Sequence, residues 1–440
     1  MLECLRQGGP VGGRWYSLID KVWLEQTLRI GAARVIANRG SPGVDGMDVE
    51  RFEEHRDEEI ARLSKRLRSG TYRPQPMKRT YIPKPGTNEQ RPLGIPTVCD
   101  RVVQAALTLV LEPIVEAEFS PRSHGFRPGR SCQDALNATI RHLNEGRTWV
   151  IDADLKGSFD SIPQERMLAQ VARKVADGKV LNLIRQFLEA GIMDGLTLSE
   201  PKSGTPQGGV ISPLLANIYL DELDHLMAQG GCTMERYADD FVVFCHTEAE
   251  AKQALERLTA WTALAGLTLH PTKTRIVDLT QERAHIDFLG YRILRHTGKD
   301  GRPRFLRLVR PKSDQKIHDR IRSLTPRKAA QALEETVTEL NRTLRGWHAY
   351  FRTAIRNIHQ ELDQFVRRRL RSQRCKTNRI HCWGNGTAHR RWPNAFFNEL
   401  GLFSLETAHV QYLQTHRGTT DRRAVCGKTA RTVRREGWPT

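Results

Sequence analysis

Two adjacent aspartates, Asp239 and Asp240, interrupt the apolar, β-branched and aromatic run MERYADDFVVFC (Met234–Cys245). The residues on either side read as strand, which sets Ala238, Asp239 and Asp240 at or near a hairpin tip. Alone, such a triplet fits an ordinary exposed turn, where Asp is at home. A second stretch gives it company. In TWVIDADL (Thr148–Leu155) the pattern has period two, so Val150, Asp152 and Asp154 share one face of a strand while Trp149, Ile151, Ala153 and Leu155 share the other. Carboxylates on a hairpin tip that face another on a neighbouring strand repel one another unless a cation lies between them. Magnesium is the hard, oxygen-seeking ion for such a place, and it leaves coordination positions open for phosphates. Two such ions about 3.5–4 Å apart serve an in-line phosphoryl displacement.

Acids of this kind stand out against the rest of the chain. Its 440 residues carry 69 Lys and Arg against 50 Asp and Glu, a formal charge of +19. That balance favours a polyanionic partner, because each neutralised phosphate releases condensed counterions. Charge by itself also fits a merely solvated surface. The length allows two or three domains. Eight cysteines show no paired spacing that would frame a disulfide set or a zinc ribbon, so a reducing, cytoplasmic compartment is expected. The N-terminus does not read as a leader, and no apolar run is long enough to cross a bilayer.

The elements that must hold the acids can be read in outline. VERFEEHRDEEIARLSKRLRSG has helical spacing at Phe52, Ile60, Leu63 and Leu67 and stops at Gly70. Asp100 to Phe119 reads as a buried helix with Asp100 as N-cap. SGTPQGGVISPLLANIYLDELDHLM reads as a Gly-rich loop and then a helix with Ser212 as N-cap and Pro213 in the first turn. The buried stripe of that helix is Leu215, Ile218 or Tyr219, Leu223 and Leu226. From about Pro311 the texture becomes helical and Arg-rich, with Trp347, Tyr350, Phe351 and Phe365 interleaved among the cations. Such alternation suits a surface that tracks phosphates and stacks bases, although a charge run is usually a solvated helix face.

These residues carry a resemblance. IDADLKGSFD, SGTPQGGVISPLLANIYLDELD, RYADDFVVF, GLTLHPTKT and FLGYRI follow the order of the palm motifs of reverse transcriptases. Upstream, GSPGVDG, YIPKPGTNEQRPLGIPTVCDRVVQAAL and SHGFRPGRS look like finger motifs of the group II intron-encoded branch, and LRGWHAYF resembles the start of its maturase, or thumb, domain. The resemblance covers roughly Ser17 to Phe365. It implies an α+β, right-hand polymerase fold whose fingers and palm carry antiparallel sheet, followed by a helical thumb/maturase domain and a basic C-terminal region. The expected divisions are an N-terminal extension over 1–30, fingers and palm over 31–295, thumb/maturase over 296–380, and a basic, partly mobile region over 381–440 that is a candidate DNA-binding segment.

Carried over residue by residue, the resemblance makes Asp154, Asp239 and Asp240 the catalytic triad that binds two magnesium ions. Leu155 is taken as a further member of the metal site, and Asp152 as a neighbour rather than a ligand. Phe159 matches the aromatic sugar gate that excludes a 2′ hydroxyl. Gln207 resembles the residue that lies against the incoming dNTP, with Gly208 and Gly209 allowing close backbone approach. Lys84 and Arg91 match basic residues used on the triphosphate, and Lys273 looks like the lysine that protonates leaving pyrophosphate. The chain departs from the pattern at His270 and Ser158 and in a slightly long loop between Lys84 and Arg91.

The resemblance implies an RNA-directed DNA polymerase that binds group II intron RNA as a splicing maturase and supports intron mobility by target-primed reverse transcription. Its partners would be that RNA, a DNA target and a primer, with no membrane, in a bacterial cytoplasm, as a monomer or homodimer. Many relatives end in an HNH endonuclease with two close cysteine pairs, which this sequence lacks. Cys375, His381, Cys382 and His389 are spaced poorly for zinc. Two alternatives remain open: an intron-free reverse transcriptase recruited to defence or diversification, and an RNA-binding maturase whose polymerase site is idle.

Overall fold

The computed structural model describes residues 13–83, 90–155, 161–195, 197–199, 204, 208–327, 332–378 and 385–415. The chain divides into two compact units, Met1–Ile276 and Val277–Thr440.

The first unit opens on helices α1 (Ile19–Trp23), α2 (Glu25–Ala37), α3 (Val49–Glu54) and α4 (Arg56–Arg68). The helical spacing expected from Val49 to Gly70 is therefore split in two. The Asp48 side chain caps α3 by accepting from the Arg51 amide at 2.8 Å, the chain breaks at His55, and Gly70 leaves α4 with φ +71°. Strands β1 (Met77–Pro83) and β2 (Gln90–Ile95) form a hairpin that leads into α5 (Val98–Glu116). Thr97, not Asp100, is the N-cap of α5: its hydroxyl oxygen accepts from the Asp100 amide at 3.1 Å. Asp100 sits one turn in and is 3% exposed, accepting hydrogen bonds from the Thr97 and Tyr72 hydroxyls and the Gln75 amide. A short acidic side chain fits both positions, and the neighbouring hydroxyl took the cap.

Next come α6 (Cys132–Asn144), β3 (Trp149–Asp154), α7 (Gln164–Ala172), α8 (Gly178–Glu189), β4 (Ile192–Asp194) and β5 (Thr197–Ser199). Strands β1, β2, β4 and β5 make one sheet in the order β2-β1-β4-β5. Helix α9 (Ser212–Gln229) starts one residue earlier than expected, with Ile211 as N-cap and Pro213 in the first turn. Leu215, Ile218, Tyr219 and Leu223 are buried on it as the apolar spacing predicts, while Leu226 is only half-buried. Strands β6 (Thr233–Tyr237) and β7 (Asp240–Cys245), helix α10 (Glu248–Leu264) and β8 (Arg275–Asp278) follow, and the second sheet has the order β6-β7-β3-β8. One face of it joins a single apolar core through Ile151, Ala153, Phe241, Val243 and Cys245, beneath α10. The alternation of β3 settles which face that is, because its apolar set points inward and its acids point the other way.

The second unit has a three-stranded antiparallel sheet of β9 (His285–Phe288), β10 (Tyr291–Thr297) and β11 (Pro303–Val309), with β10 central. Helices α11 (Pro311–Leu324), α12 (Leu333–Phe351), α13 (Arg356–Thr377), α14 (Asn385–Arg391), α15 (Asn394–Glu399) and α16 (Leu405–Thr415) complete it. Asp363, on α13 and 3% exposed, caps the start of α16 by accepting from the amides of Leu405 at 3.0 Å and Glu406 at 3.2 Å. The expected face of alternating cations and base-stacking rings does not form as read. Trp347, Phe351 and Phe365 are buried and only Tyr350 is exposed. Several cations lie over internal rings instead, Arg368 and Arg322 over Phe365 and Arg371 over Phe397. Among the described residues no helix is long and apolar enough to cross a membrane.

Candidate active site

The acids sit where two antiparallel strands end together. In the β3–β7 ladder Asp154 is the register partner of Asp240, followed inward by Ala153 with Phe241 and Asp152 with Val242. The β6–β7 hairpin closes with Tyr237 opposite Asp240, leaving Ala238 and Asp239 as a two-residue tip. Directly opposed side chains on one face lie with Cβ atoms about 4.5–5.5 Å apart, so Asp154 and Asp240 meet as like charges, which is destabilising without a counterion. All three aspartates are half-buried, neither sequestered nor fully solvated.

In this state the positive charge is supplied by Lys273, whose Nζ forms an ion pair with the Asp154 carboxylate. The ammonium stands where a divalent cation's charge would be needed. Lys273 is carried there by the turn after Leu269: Leu155 bridges to Leu269, the His270 amide donates to the Asp154 carbonyl at 2.8 Å, and the Lys273 amide donates to the His270 carbonyl at 3.2 Å. Leu155 is 4% exposed and its side chain is hydrocarbon, so only its backbone carbonyl could serve as a ligand. Asp152, one pleat further in, pairs with Arg275 at 3.3 Å. The three carboxylates are not gathered within 4.8 Å of one another. As a donor set, however, oxygen-only and partly solvated, they fit a hard cation.

Beneath the tip lies a buried polar framework. Ala238 has φ +59°, at a tip position where such hairpins usually carry glycine. Arg236, fully buried, holds that conformation. Its Nη1 donates to the Ala238 carbonyl and to Asn217 Oδ1, both at 2.9 Å, and its Nε donates to Asp224 at 2.8 Å. Asn217 and Asp224 come from α9, and Asn217 donates in turn to the Gly125 carbonyl at 2.8 Å. Gly125 has no alternative, since a Cβ there would lie 2.3 Å from the Ala238 nitrogen. One residue back on β6, Glu235 is 1% exposed and receives hydrogen bonds from His124 at 2.7 Å and His142 at 2.9 Å. Burial alone would push this carboxyl up, but those two hydrogen bonds and the charge on the rings hold it below the ordinary glutamate value.

Sequence reasoning missed Arg236, Asp224, Asn217 and Glu235 as parts of the site. The available signal was a strand, MERY, that carries two charges without a polar face to put them on.

Other expected residues fall elsewhere. Arg91 is exposed on β2 opposite Ile82. Gly208 has φ +117°, and a Cβ there would lie 2.0 Å from the Gly94 carbonyl oxygen of β2, so its close approach is to protein backbone. Lys84, Phe159 and Gln207, like His381 and Cys382, lie outside the described residues.

The reverse transcriptase (RNA-dependent DNA polymerase) family model matches residues 82–293, which contain all three aspartates and Lys273. The group II intron maturase-specific domain model matches residues 315–392. Protein YkfC of Escherichia coli (strain K12) is 32% identical, the match covering 65% of this chain and 84% of YkfC. The chain belongs to the group II intron reverse transcriptase/maturase family. Within that family it is 45% identical to the group II intron-encoded protein LtrA of Lactococcus lactis subsp. cremoris, over 39% of this chain and 29% of LtrA. It is 31% identical to a 91 kDa protein in the cob intron of Schizosaccharomyces pombe, over 57% of this chain and 37% of that one. The chain thus spans less than a third of LtrA's length in the match. The mixed strand and helix architecture is that of a reverse transcriptase right hand followed by a helical maturase region.

Proposed function

We propose that the chain is an RNA-directed DNA polymerase that also binds intron RNA as a maturase. The observation that carries the reading is the β3–β7 register, which sets Asp154 opposite Asp240 and beside Asp239 at an accessible hairpin tip. Asp154, Asp239 and Asp240, with the Leu155 carbonyl, would hold two magnesium ions, once rotamer changes draw the carboxylates together and Lys273 releases Asp154. When bound, such a pair polarises the primer hydroxyl and neutralises charge on the transferring phosphate.

The chain's own residues do the rest. The oxygen of the primer 3′ hydroxyl forms a bond to the α-phosphorus of a dNTP as the bond to pyrophosphate breaks and the hydroxyl proton passes to water. Lys273, freed from Asp154, would give a proton to the departing pyrophosphate, and Arg91 and Lys84 would bind the triphosphate. Phe159 and Gln207 would fix the sugar and base of the incoming nucleotide. The division into 1–30, 31–295, 296–380 and 381–440 is kept as the working map of extension, fingers and palm, thumb/maturase and basic region.

The maturase match supports intron RNA as the partner of the second unit. A DNA target, and mobility by target-primed synthesis from a DNA end made elsewhere, extend the same reading. Primer extension on an RNA template with Mg²⁺ tests the polymerase: templated DNA product is expected from the full chain, and none under conditions where it binds primer-template would overturn the proposal.

A further inference from the structure

Three histidines from three helices of the second unit meet in its interior: His348 of α12, His359 of α13 and His409 of α16. His359 and His409 are 0% and 1% exposed, and His348 is half-buried. Their rings are packed, His359 and His409 with centroids 4.2 Å apart and His348 edge-on to His359 at 5.6 Å. Packing alone does not account for their nitrogens. Nδ1 of His359 lies 3.3 Å from the Ile355 carbonyl and Nδ1 of His409 lies 3.0 Å from the Arg352 carbonyl. Carbonyls accept only, so each Nδ1 carries the proton and each Nε2 presents a lone pair. The Nε2 atoms of all three histidines are buried with no hydrogen-bond partner among the described residues.

Buried polar atoms are rarely left in this condition, and three in one place call for a shared partner. His359 and His409 each present a lone pair there, and His348 presents a third when its own proton is on Nδ1. A cation would meet all three. One donor atom from each ring already lies within 4.8 Å of the others. A tetrahedral ion with metal–nitrogen bonds of about 2.0–2.1 Å wants its ligands roughly 3.4 Å apart. The remaining closure falls to His348, the least buried of the three.

The donor chemistry selects the ion. Three neutral imidazoles without a carboxylate suit zinc and its first-row neighbours and not magnesium or calcium, which take oxygen. The carbonyl behind Nδ1 of His359 and of His409 is the outer-shell arrangement that orients ligating imidazoles. Burial, with His409 and His348 beside it, lowers His359 to about 3, and burial, with His348 and Arg356 beside it, lowers His409 to about 4. Of the charges close by, Arg356 is paired with Glu406 at 2.6 Å and Arg352 lies over the Tyr412 ring.

We propose that His348, His359 and His409 form a three-imidazole site for a first-row transition ion, zinc(II) in the first instance, that fastens α16 to α12 and α13. His409 lies beyond the residues matched by the maturase model, so the site would tie the following segment to that domain. It is independent of the polymerase reading.

The test uses the tag-free full chain, stripped of metal with a chelator and titrated with cobalt(II) in the presence of millimolar Mg²⁺, which competes for carboxylate sites. We expect one equivalent of cobalt with the visible absorption of a nitrogen-ligated ion of low coordination, displaced by one equivalent of zinc, and a rise in melting temperature with zinc. His348→Gln, at the half-buried position, should keep the far-ultraviolet circular dichroism of the wild type and weaken binding by at least ~10–100-fold, the range seen for lesser changes around metal sites. Absence of stoichiometric cobalt binding by the wild-type chain overturns the proposal whatever the variant does. So does unchanged affinity in a folded His348→Gln.

Discussion

The β6–β7 hairpin of the first unit and the α12–α13 pair of the second both place charge among apolar neighbours, and they handle it in opposite ways. In the hairpin the buried charges are paired off: Arg236 against Asp224 and Asn217, Glu235 against His124 and His142. At the tip three half-buried aspartates stand together, and Lys273 pairs with Asp154 among them. In the helices the cations are mostly tied to rings and carbonyls. Arg368 lies over Phe365, Arg369 bonds the Thr325 hydroxyl, and Arg367 is close to Asp363. The contrast teaches that formal charge says little until each group's partner is known. A paired framework fixes a turn, and only the charge left over is available for metal or phosphate.

The largest effect should come from breaking that framework. Arg236→Met leaves Asp224 buried without its partner and should cost about 3–5 kcal/mol of stability in urea titration. Arg236→Met combined with Asp224→Leu should recover much of that loss but not nucleotide incorporation, because the bond to the Ala238 carbonyl is still missing. Full recovery of both would reduce the arginine to a packing element.

A smaller effect concerns Glu235. Its folded pKa lies below the unfolded one, so its contribution is complete above about pH 4.5 and is lost as pH falls through the folded value. The urea-midpoint gap between wild type and Glu235→Gln should narrow below about pH 4.5, and a constant gap would show that the carboxylate's charge is irrelevant.

The smallest effect tests the helices. Arg368 is exposed, and its replacement by Gln should lower the slope of log affinity for RNA against log salt by about one at most. Arg369→Gln should leave the slope unchanged, since that guanidinium is committed to Thr325. Equal shifts in both would erase the distinction between a guanidinium exposed over a ring and one bonded to a hydroxyl and a carbonyl.

Much of the palm was legible because strand alternation is a short-range signal. TWVIDADL shows its two faces directly, and ADD shows its turn. The framework beneath was not, because the partners of Arg236 lie 12 and 19 residues away on another element, and nothing local says that a helix will return there. The cap of α5 was misplaced by three residues where Thr97 and Asp100 both suit the role. The aromatic helices misled for a related reason: periodicity marks which residues share a face, but not whether that face meets solvent or another helix. The outer members of the histidine trio are 61 positions apart, and no spacing rule would have gathered it.

The central claim is that Asp154 acts with Asp239 and Asp240 across the β3–β7 register. Single-turnover incorporation of one dNTP on an RNA template by Asp154→Asn measures it most directly. The substitution keeps the side chain's shape while removing its charge and turning one of its two oxygen acceptors into an NH2 donor. A folded variant that binds primer-template normally but incorporates at least ~10³-fold more slowly, on the order expected for loss of an electrostatic catalytic group, is the predicted result. Incorporation within about tenfold of wild type would contradict the account.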